Sequence, residues 1–305
     1  MESAITKLAQ IRIPLQKILD VTNNFSGNNI IMKGDFGNVY IGKLDHEGKM
    51  IEIVARRLDR KYGHRDIEFW AEVSSLSRFM WIDEIVAMIG FCDEKGENIV
   101  INHHYPNGSL SRYIKDPLTL DVDQRFAITV AICRGISSIQ TELEGDYIIH
   151  RNINSSTILL DDDWMPRLSG FDYSIKHSKE RRNLVLNSEA IGTQGYIDPA
   201  IEKYGGVNYK SDIYSFGVVL FELLCGGNAF EENKLLASLA KYHYENGTMK
   251  DIIHPDLWNQ MNPESFKCFS KAAYSCLQED PTLRPDVDEL WLQLEKADRL
   301  QVGGF

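Results

Sequence analysis

No apolar run in this sequence approaches the roughly 20 residues needed to cross a bilayer. The start, Met1-Glu2-Ser3-Ala4, lacks the charged-then-apolar layout of a secretory signal and has no glycine at position 2 for myristoylation. The end, Gly303-Gly304-Phe305, carries no prenylation cysteine. CxxC spacing is missing too: Cys92, Cys133, Cys225, Cys268 and Cys276 are scattered and odd in number, a pattern that suits buried reduced thiols better than a disulfide framework. There is no internal repeat and no low-complexity tail. Basic residues are in deficit, 33 against 44 acidic, and the net charge of −11 argues against general binding to nucleic acid or anionic membrane. These absences predict a cytoplasmic protein with no membrane span and no nucleic-acid partner. The natural-looking start at Met1 favours a stand-alone chain over a domain cut from a longer receptor.

What is present is an ordinary globular composition, 43% apolar and 25% charged over 305 residues, enough to bury a substantial core. Ile11, Ile13, Leu15, Ile18, Leu19 and Phe25 predict a short leading helix, with Pro14 near its start and Asn23-Asn24 as its stop. From Ile30 to Ile53, β-branched residues punctuated by glycines predict twisted antiparallel strands. A helix is expected over about Asp66–Phe79, with Phe69, Val73, Leu76 and Phe79 on one face, and two strands near Ile85–Cys92 and Asn98–Tyr105. After Pro106-Asn107-Gly108 the texture changes to long amphipathic segments, with candidate helices at about 121–141, 209–225, 233–246, 263–277 and 285–300. The stretch 145–200 reads as strand-poor and irregular.

Several motifs stand in a fixed order along this frame. Ile13-Pro14-Leu15 and Thr22-Asn23-Asn24-Phe25 precede Lys33-Gly34-Asp35-Phe36-Gly37-Asn38-Val39-Tyr40, a glycine-rich turn. His150-Arg151-Asn152 leads into Ser156-Thr157-Ile158-Leu159-Leu160. Asp212-Ile213-Tyr214-Ser215-Phe216-Gly217 and Arg284-Pro285 follow. In this order the chain resembles the receptor-like and receptor-like cytoplasmic kinases of plants, from about Ile11 to Leu300. The resemblance implies an α+β, bilobal protein-kinase fold in a single kinase-like domain over 1–305. Its N-lobe, about 11–105, would be a small antiparallel β-rich unit with one main helix; its C-lobe, about 106–300, larger and mostly α-helical.

Against that family the reactive positions look altered. Gly170-Phe171-Asp172 looks like Asp-Phe-Gly with its outer residues exchanged, and glycine cannot ligate the magnesium that the family's aspartate holds. The positions of the catalytic base, the following lysine and the metal-binding asparagine correspond to Asn152, Asn154 and Thr157. An amide has no basic oxygen at neutral pH, so Asn152 can orient a hydroxyl but not deprotonate it. Asp172 lies too far along the chain to replace the lost carboxylate, and Asp161-Asp162-Asp163 reads as a solvated turn. No catalytic residue and no metal ligand are therefore expected.

The equivalents of the nucleotide site would be Gly34, Gly37, Val39, Arg56 and Glu72, a vestigial set. Met32 replaces the first loop glycine, Val54 crowds the adenine position, and Asn102 takes the gatekeeper position. The phosphate-anchoring lysine is replaced by Arg56, or by Arg57 if the strand slips by one residue. An Arg56–Glu72 pair would let the lobe keep an active-like shape. Asp212 should hydrogen-bond the catalytic-loop backbone. Asp198-Pro199-Ala200 lacks the glutamate that pairs with Arg284 in the family, so Glu202, another acidic group or solvent must satisfy that arginine.

These readings predict a catalytically inactive pseudokinase, not an enzyme, serving as adaptor, scaffold or allosteric partner of an active kinase or receptor. A nucleotide-binding conformational switch without phosphotransfer is the alternative, with metal-independent ATP or ADP binding; otherwise no cofactor is expected. A residual or atypical Ser/Thr kinase using a relocated Lys33 or Lys43 is the third class. Lys176, His177, Lys179, Arg181 and Arg182 form the clearest basic cluster, read either as a solvated loop or as a docking patch for an acidic or phosphorylated partner. Ser178, Ser188 and Thr193 are candidates for phosphorylation.

Overall fold

Short runs of Ile, Val and Tyr between turn residues make the N-terminal third of the chain a sheet. In the structure, a computed structural model, described residues are 8–34, 37–58, 66–141, 145–178, 180, 182 and 184–303. The chain divides into two compact units, Met1–Pro106 and Asn107–Phe305.

The first unit holds five antiparallel strands, β1 (Ile30–Gly34), β2 (Gly37–His46), β3 (Lys49–Arg57), β4 (Met88–Cys92) and β5 (Ile99–His103), in the order β1-β2-β3-β5-β4. Glu47 and Gly48, both at positive φ (53° and 79°), make the two-residue turn between β2 and β3, matching the twist of the strands. The leading helix, Leu15–Val21, lays Leu15 and Ile18 on a core of Leu44, Ile53, Ala55, Cys92, Ile99 and Ile101. The chain entering it runs beside β4: the Ile13 amide donates to the Phe91 carbonyl at 2.8 Å, and the Phe91 amide to that of Ile11 at 3.1 Å. Gly90 permits this approach, since a Cβ there would lie 2.3 Å from the Ile11 carbonyl oxygen. The edge of the sheet is thereby closed.

The main helix of this unit, Asp66–Leu76, buries Phe69, Val73 and Leu76 and stops a turn short of the expected Phe79. Ser77 caps it locally by donating its hydroxyl to the Ser74 carbonyl at 3.1 Å, the competition with helix that serine brings.

In the second unit, the helices Val122–Gln140, Tyr209–Cys225, Pro263–Cys276 and Val287–Val302 fall where the periodicity predicts them. Their starts are chemically marked: Asp121 and Gln124 form a capping box, and Asn262 with Pro263 starts the third. Phe126 and Phe269 stack at 4.3 Å between the first and third. The helix expected from 233 begins at Leu236, because Phe230–Glu231 and Lys234–Leu235 pair first as a tight hairpin.

Arg125 is buried in the Val122–Gln140 helix without a direct carboxylate partner among the described residues. It donates only to backbone carbonyls: Nε to Leu120 at 2.7 Å, Nη1 to Leu223 at 3.0 Å, and Nη2 to Tyr113, Ile114 and Asp116 at 3.3, 2.9 and 3.3 Å. Burial pulls its pKa down to about 10, so it stays a cation at neutral pH.

The stretch read as irregular is built from very short strands. Gly108–Ser109 (β6), Ile158–Leu160 (β8) and Pro166–Leu168 (β9) form one sheet. Asp146–Ile149 (β7) pairs with Ile175–Ser178 (β10), and Leu186–Asn187 (β11) with Gly206–Val207 (β12). Strands of two to four residues are too short for a period-2 pattern to register in sequence.

Candidate functional site

In the first unit, the last pair of the β1–β2 hairpin is Gly34 opposite Gly37. Gly37 has φ 117°, and a Cβ there would lie 2.0 Å from the Arg57 carbonyl oxygen, so close strand approach demands glycine whatever the loop binds. Asp35 and Phe36 lie outside the described residues. Met32 is exposed on β1. The strand register puts Arg56 opposite the buried Val39, and Arg56 forms an ion pair with the buried Glu72. Arg57 goes elsewhere: its guanidinium makes two hydrogen bonds to Glu97, at 2.7 and 2.6 Å, and stacks 4.4 Å from the Phe25 ring. Asn102 sits on β5 with Val54 and Met88 as its neighbours across the sheet.

In the second unit, Asp212 organises the loop that follows β7. Its two oxygens accept the His150 amide at 2.8 Å and the Arg151 amide at 2.9 Å, which leaves Arg151 at φ 68°. Burial lifts the Asp212 pKa to about 6 against those same hydrogen bonds. His150 is buried against Phe171, its Nδ1 accepting the Asn152 amide at 3.2 Å and its Nε2 donating to the Ser169 carbonyl at 3.0 Å. Desolvation lowers its pKa to about 4, so it is a neutral structural imidazole at physiological pH.

The reactive positions are tied to one another. Asn154 Nδ2 donates to Asn152 Oδ1 at 3.1 Å and to Thr193 Oγ1 at 3.2 Å, while Thr193 Oγ1 donates to the same Asn152 Oδ1 at 2.9 Å. Asn154 Oδ1 accepts the amides of Ser156 and Thr157 at 2.8 and 3.2 Å. Thr157 Oγ1 lies 3.0 Å from the carbonyls of both Asn152 and Asn154. Gly170 has φ 80° and ψ 43°, and a Cβ there would meet the Thr157 methyl at 2.6 Å. The space a side chain at 170 needs is filled. A metal held by side chains at 157 and 170, as the resemblance implies, does not fit this arrangement. Among the described residues no group of three or more His, Cys, Asp or Glu side chains is placed to hold a metal.

Arg284 is satisfied by Asp198 rather than Glu202. Two hydrogen bonds, 2.6 and 2.7 Å, join its guanidinium to that carboxylate, and it also donates to the carbonyls of Gln278 and Lys210 at 2.8 and 3.0 Å. Glu202 is exposed. Nearby, the buried Glu222 accepts at Oε1 from Tyr196 OH (2.7 Å), Ser155 Oγ (3.3 Å) and the Ala229 amide (3.0 Å). Burial raises its pKa to about 7. The sequence signal for this group was a single carboxylate inside the apolar run Val218–Leu224.

A family model of protein tyrosine and serine/threonine kinases matches residues 26–294. The chain belongs to that kinase family. Its relatives include, from Arabidopsis thaliana, receptor-like protein kinase HERK 1, 32% identical over 98% of this chain and 36% of the relative. Receptor-like protein kinase ANXUR2 is 34% identical over 95% of the chain and 34% of its own length, and FERONIA 31% over 93% and 32%. The kinase domain thus spans about a third of the length of these relatives. The two units, an antiparallel sheet with one main helix and a mostly helical unit, are those of the protein-kinase fold.

One expectation is corrected. The chain was expected not to be an enzyme, and its membership of a kinase family whose relatives are named protein kinases points instead to an enzyme. Of the basic cluster, Lys176 pairs with Asp146 at 2.6 Å and Arg182 lies over aromatic rings, while Lys179 and Arg181 fall outside the described residues. Ser178 is in β10, Ser188 accepts a hydrogen bond from Arg151, and Thr193 is in the network above. No helix among the described residues is long and apolar enough to cross a membrane.

Proposed function

We propose that this kinase domain acts in plant receptor signalling chiefly as an adaptor or allosteric partner of another kinase or receptor, with its own phosphoryl transfer an atypical and slow activity. The observation that carries this reading is the closed network at Asn152. Its Oδ1 is already engaged by Asn154 and Thr193, and an amide cannot take the proton of a substrate hydroxyl. The anchors that keep the fold, Asp212 and the Arg284–Asp198 pair, are in place beside it. A stable kinase shape with altered chemistry suits recognition by a partner.

The test is transfer from labelled ATP, measured for the purified chain alone and mixed with the catalytic domain of a receptor-like kinase. Transfer by the chain alone is expected far below the roughly 1–100 s⁻¹ of ordinary kinases, with the partner's rate changed severalfold on mixing. An ordinary rate alone together with no effect on the partner would overturn the reading.

The Arg56–Glu72 pair favours a second reading, a nucleotide-binding conformational switch. Thermal unfolding with ATP or ADP, in magnesium and in EDTA, tests it. Ligand at 100 times Kd adds about 2.7 kcal/mol, and no shift at millimolar nucleotide would remove this alternative.

A further inference from the structure

The segment between β10 and β11 carries Arg182, and the way that side chain is seated assigns it a role of its own. Its guanidinium carbon lies 4.4 Å from the centroid of the Tyr209 ring and 5.7 Å from that of Tyr147. Nη1 donates to the Gln140 carbonyl at 3.4 Å, and Tyr147 OH donates to the Arg182 carbonyl at 3.3 Å. Side chain and backbone of one residue are both held.

The seat is rigid. Tyr147 and Tyr209 are buried, pack edge to face at 6.3 Å, and belong to a core with Ile149, Ile201 and Val207. Tyr209 OH donates to Asp286 at 3.0 Å, and Lys210 pairs with the same carboxylate at 2.7 Å. His177 of β10 adds an edge contact to Tyr147 at 5.6 Å. Burial raises the pKa of Tyr147 to about 12 and also raises that of Tyr209, so both rings are neutral and keep their phenolic protons. A planar cation over two fixed neutral rings is a favourable contact, and the Asp286 carboxylate adds a Coulombic attraction to the same guanidinium.

We propose that Arg182 is a latch: through the Tyr147–Tyr209 cradle it holds the chain at position 182 on the second unit, without any covalent modification. Removing the cation releases that point and uncovers the two rings, while the helices stay folded. The inference is independent of any claim about phosphoryl transfer.

Amide hydrogen exchange on the full chain tests it, comparing the parent protein with Arg182→Ala and Arg182→Lys. In Arg182→Ala, exchange over 176–187 is expected to speed up about 5- to 30-fold, the equivalent of about 1–2 kcal/mol at 1.4 kcal/mol per tenfold. The Val122–Gln140 helix should remain as protected as in the parent. Arg182→Lys, which keeps the charge but not the flat stacking group, should fall between. Unchanged exchange over 176–187 in Arg182→Ala would overturn the latch. So would an equal rise in the helix, which would make Arg182 a general contributor to stability.

Discussion

A buried guanidinium needs acceptors for its donors, and at Arg284 two of those bonds go to the carboxylate of Asp198, just before Pro199. The pair is fully buried, where removing one partner strands the other charge. Asp198→Ala is therefore expected to cost about 3–5 kcal/mol in urea unfolding, whereas the exposed Glu202→Ala should stay within about 0.5 kcal/mol. Equal effects of the two would mean that the ion pair is not the anchor. Gly170 and Thr157 make a second coupled pair. Aspartate tolerates the left-handed backbone better than most residues, so at Gly170→Asp the contact with the Thr157 methyl decides the outcome. That substitution is expected to destabilise by about 1–3 kcal/mol, and Thr157→Ser, which removes the methyl but keeps the hydroxyl, should recover most of the loss. A double-mutant cycle by chemical denaturation reads this coupling, and strictly additive effects would count against it.

Among the elements, the Tyr209–Cys225 helix does more than fill the core. Through Glu222 it fastens Ser155 of the loop after β7, Tyr196 and the turn at Ala229. Because the folded pKa of Glu222 is raised to about 7 from an ordinary 4.5, the stabilising effect of protonating it is fully present below about pH 4.5 and lost as pH rises through 7. Asp212 acts in the same direction around pH 6; His150, lowered to about 4 from 6.5, acts oppositely as pH falls below 6.5. Glu222→Gln is expected to flatten the stability profile between pH 5 and 8 by about 1–3 kcal/mol, measured by unfolding at each pH. An unchanged profile would place the titration elsewhere.

Long helices were legible in the sequence from their amphipathic periodicity, and the structure caps them at Asp121, Asn208, Asn262 and Gly226. The paired strands β7 and β10 were not, because four residues are too few for a period-2 pattern and their pairing comes from partners far along the chain. At the site, the sequence shows which residue types stand at the reactive positions, an amide at Asn152 and no side chain at Gly170. The Arg56–Glu72 pair was legible too, with Arg57 as the alternative of a one-residue slip, and the register turns Arg57 to Glu97 instead. The hydrogen bonds of Thr193 to both asparagines follow from how a distant segment folds back, and nothing in its local sequence announces them.

At the scale of the whole molecule, two units with separate cores carry the features described here. In the first, the chain ahead of the matched family region, at Ile11 and Ile13, covers the edge of β4, so the fold of that unit extends beyond the residues 26–294 that define the family. In the second, Arg125 joins the helix that carries it to the turn at Tyr113–Leu120 and to the Tyr209–Cys225 helix. Every acceptor it uses is a main-chain carbonyl, which any residue type supplies. This one cation therefore constrains the path of the chain, while the side chain of Asp116 separately fastens the turn through the Leu118 and Thr119 amides at 3.0 and 3.1 Å. Lysine would not hold that path, because an ammonium has three donors against the five carbonyls that Arg125 reaches.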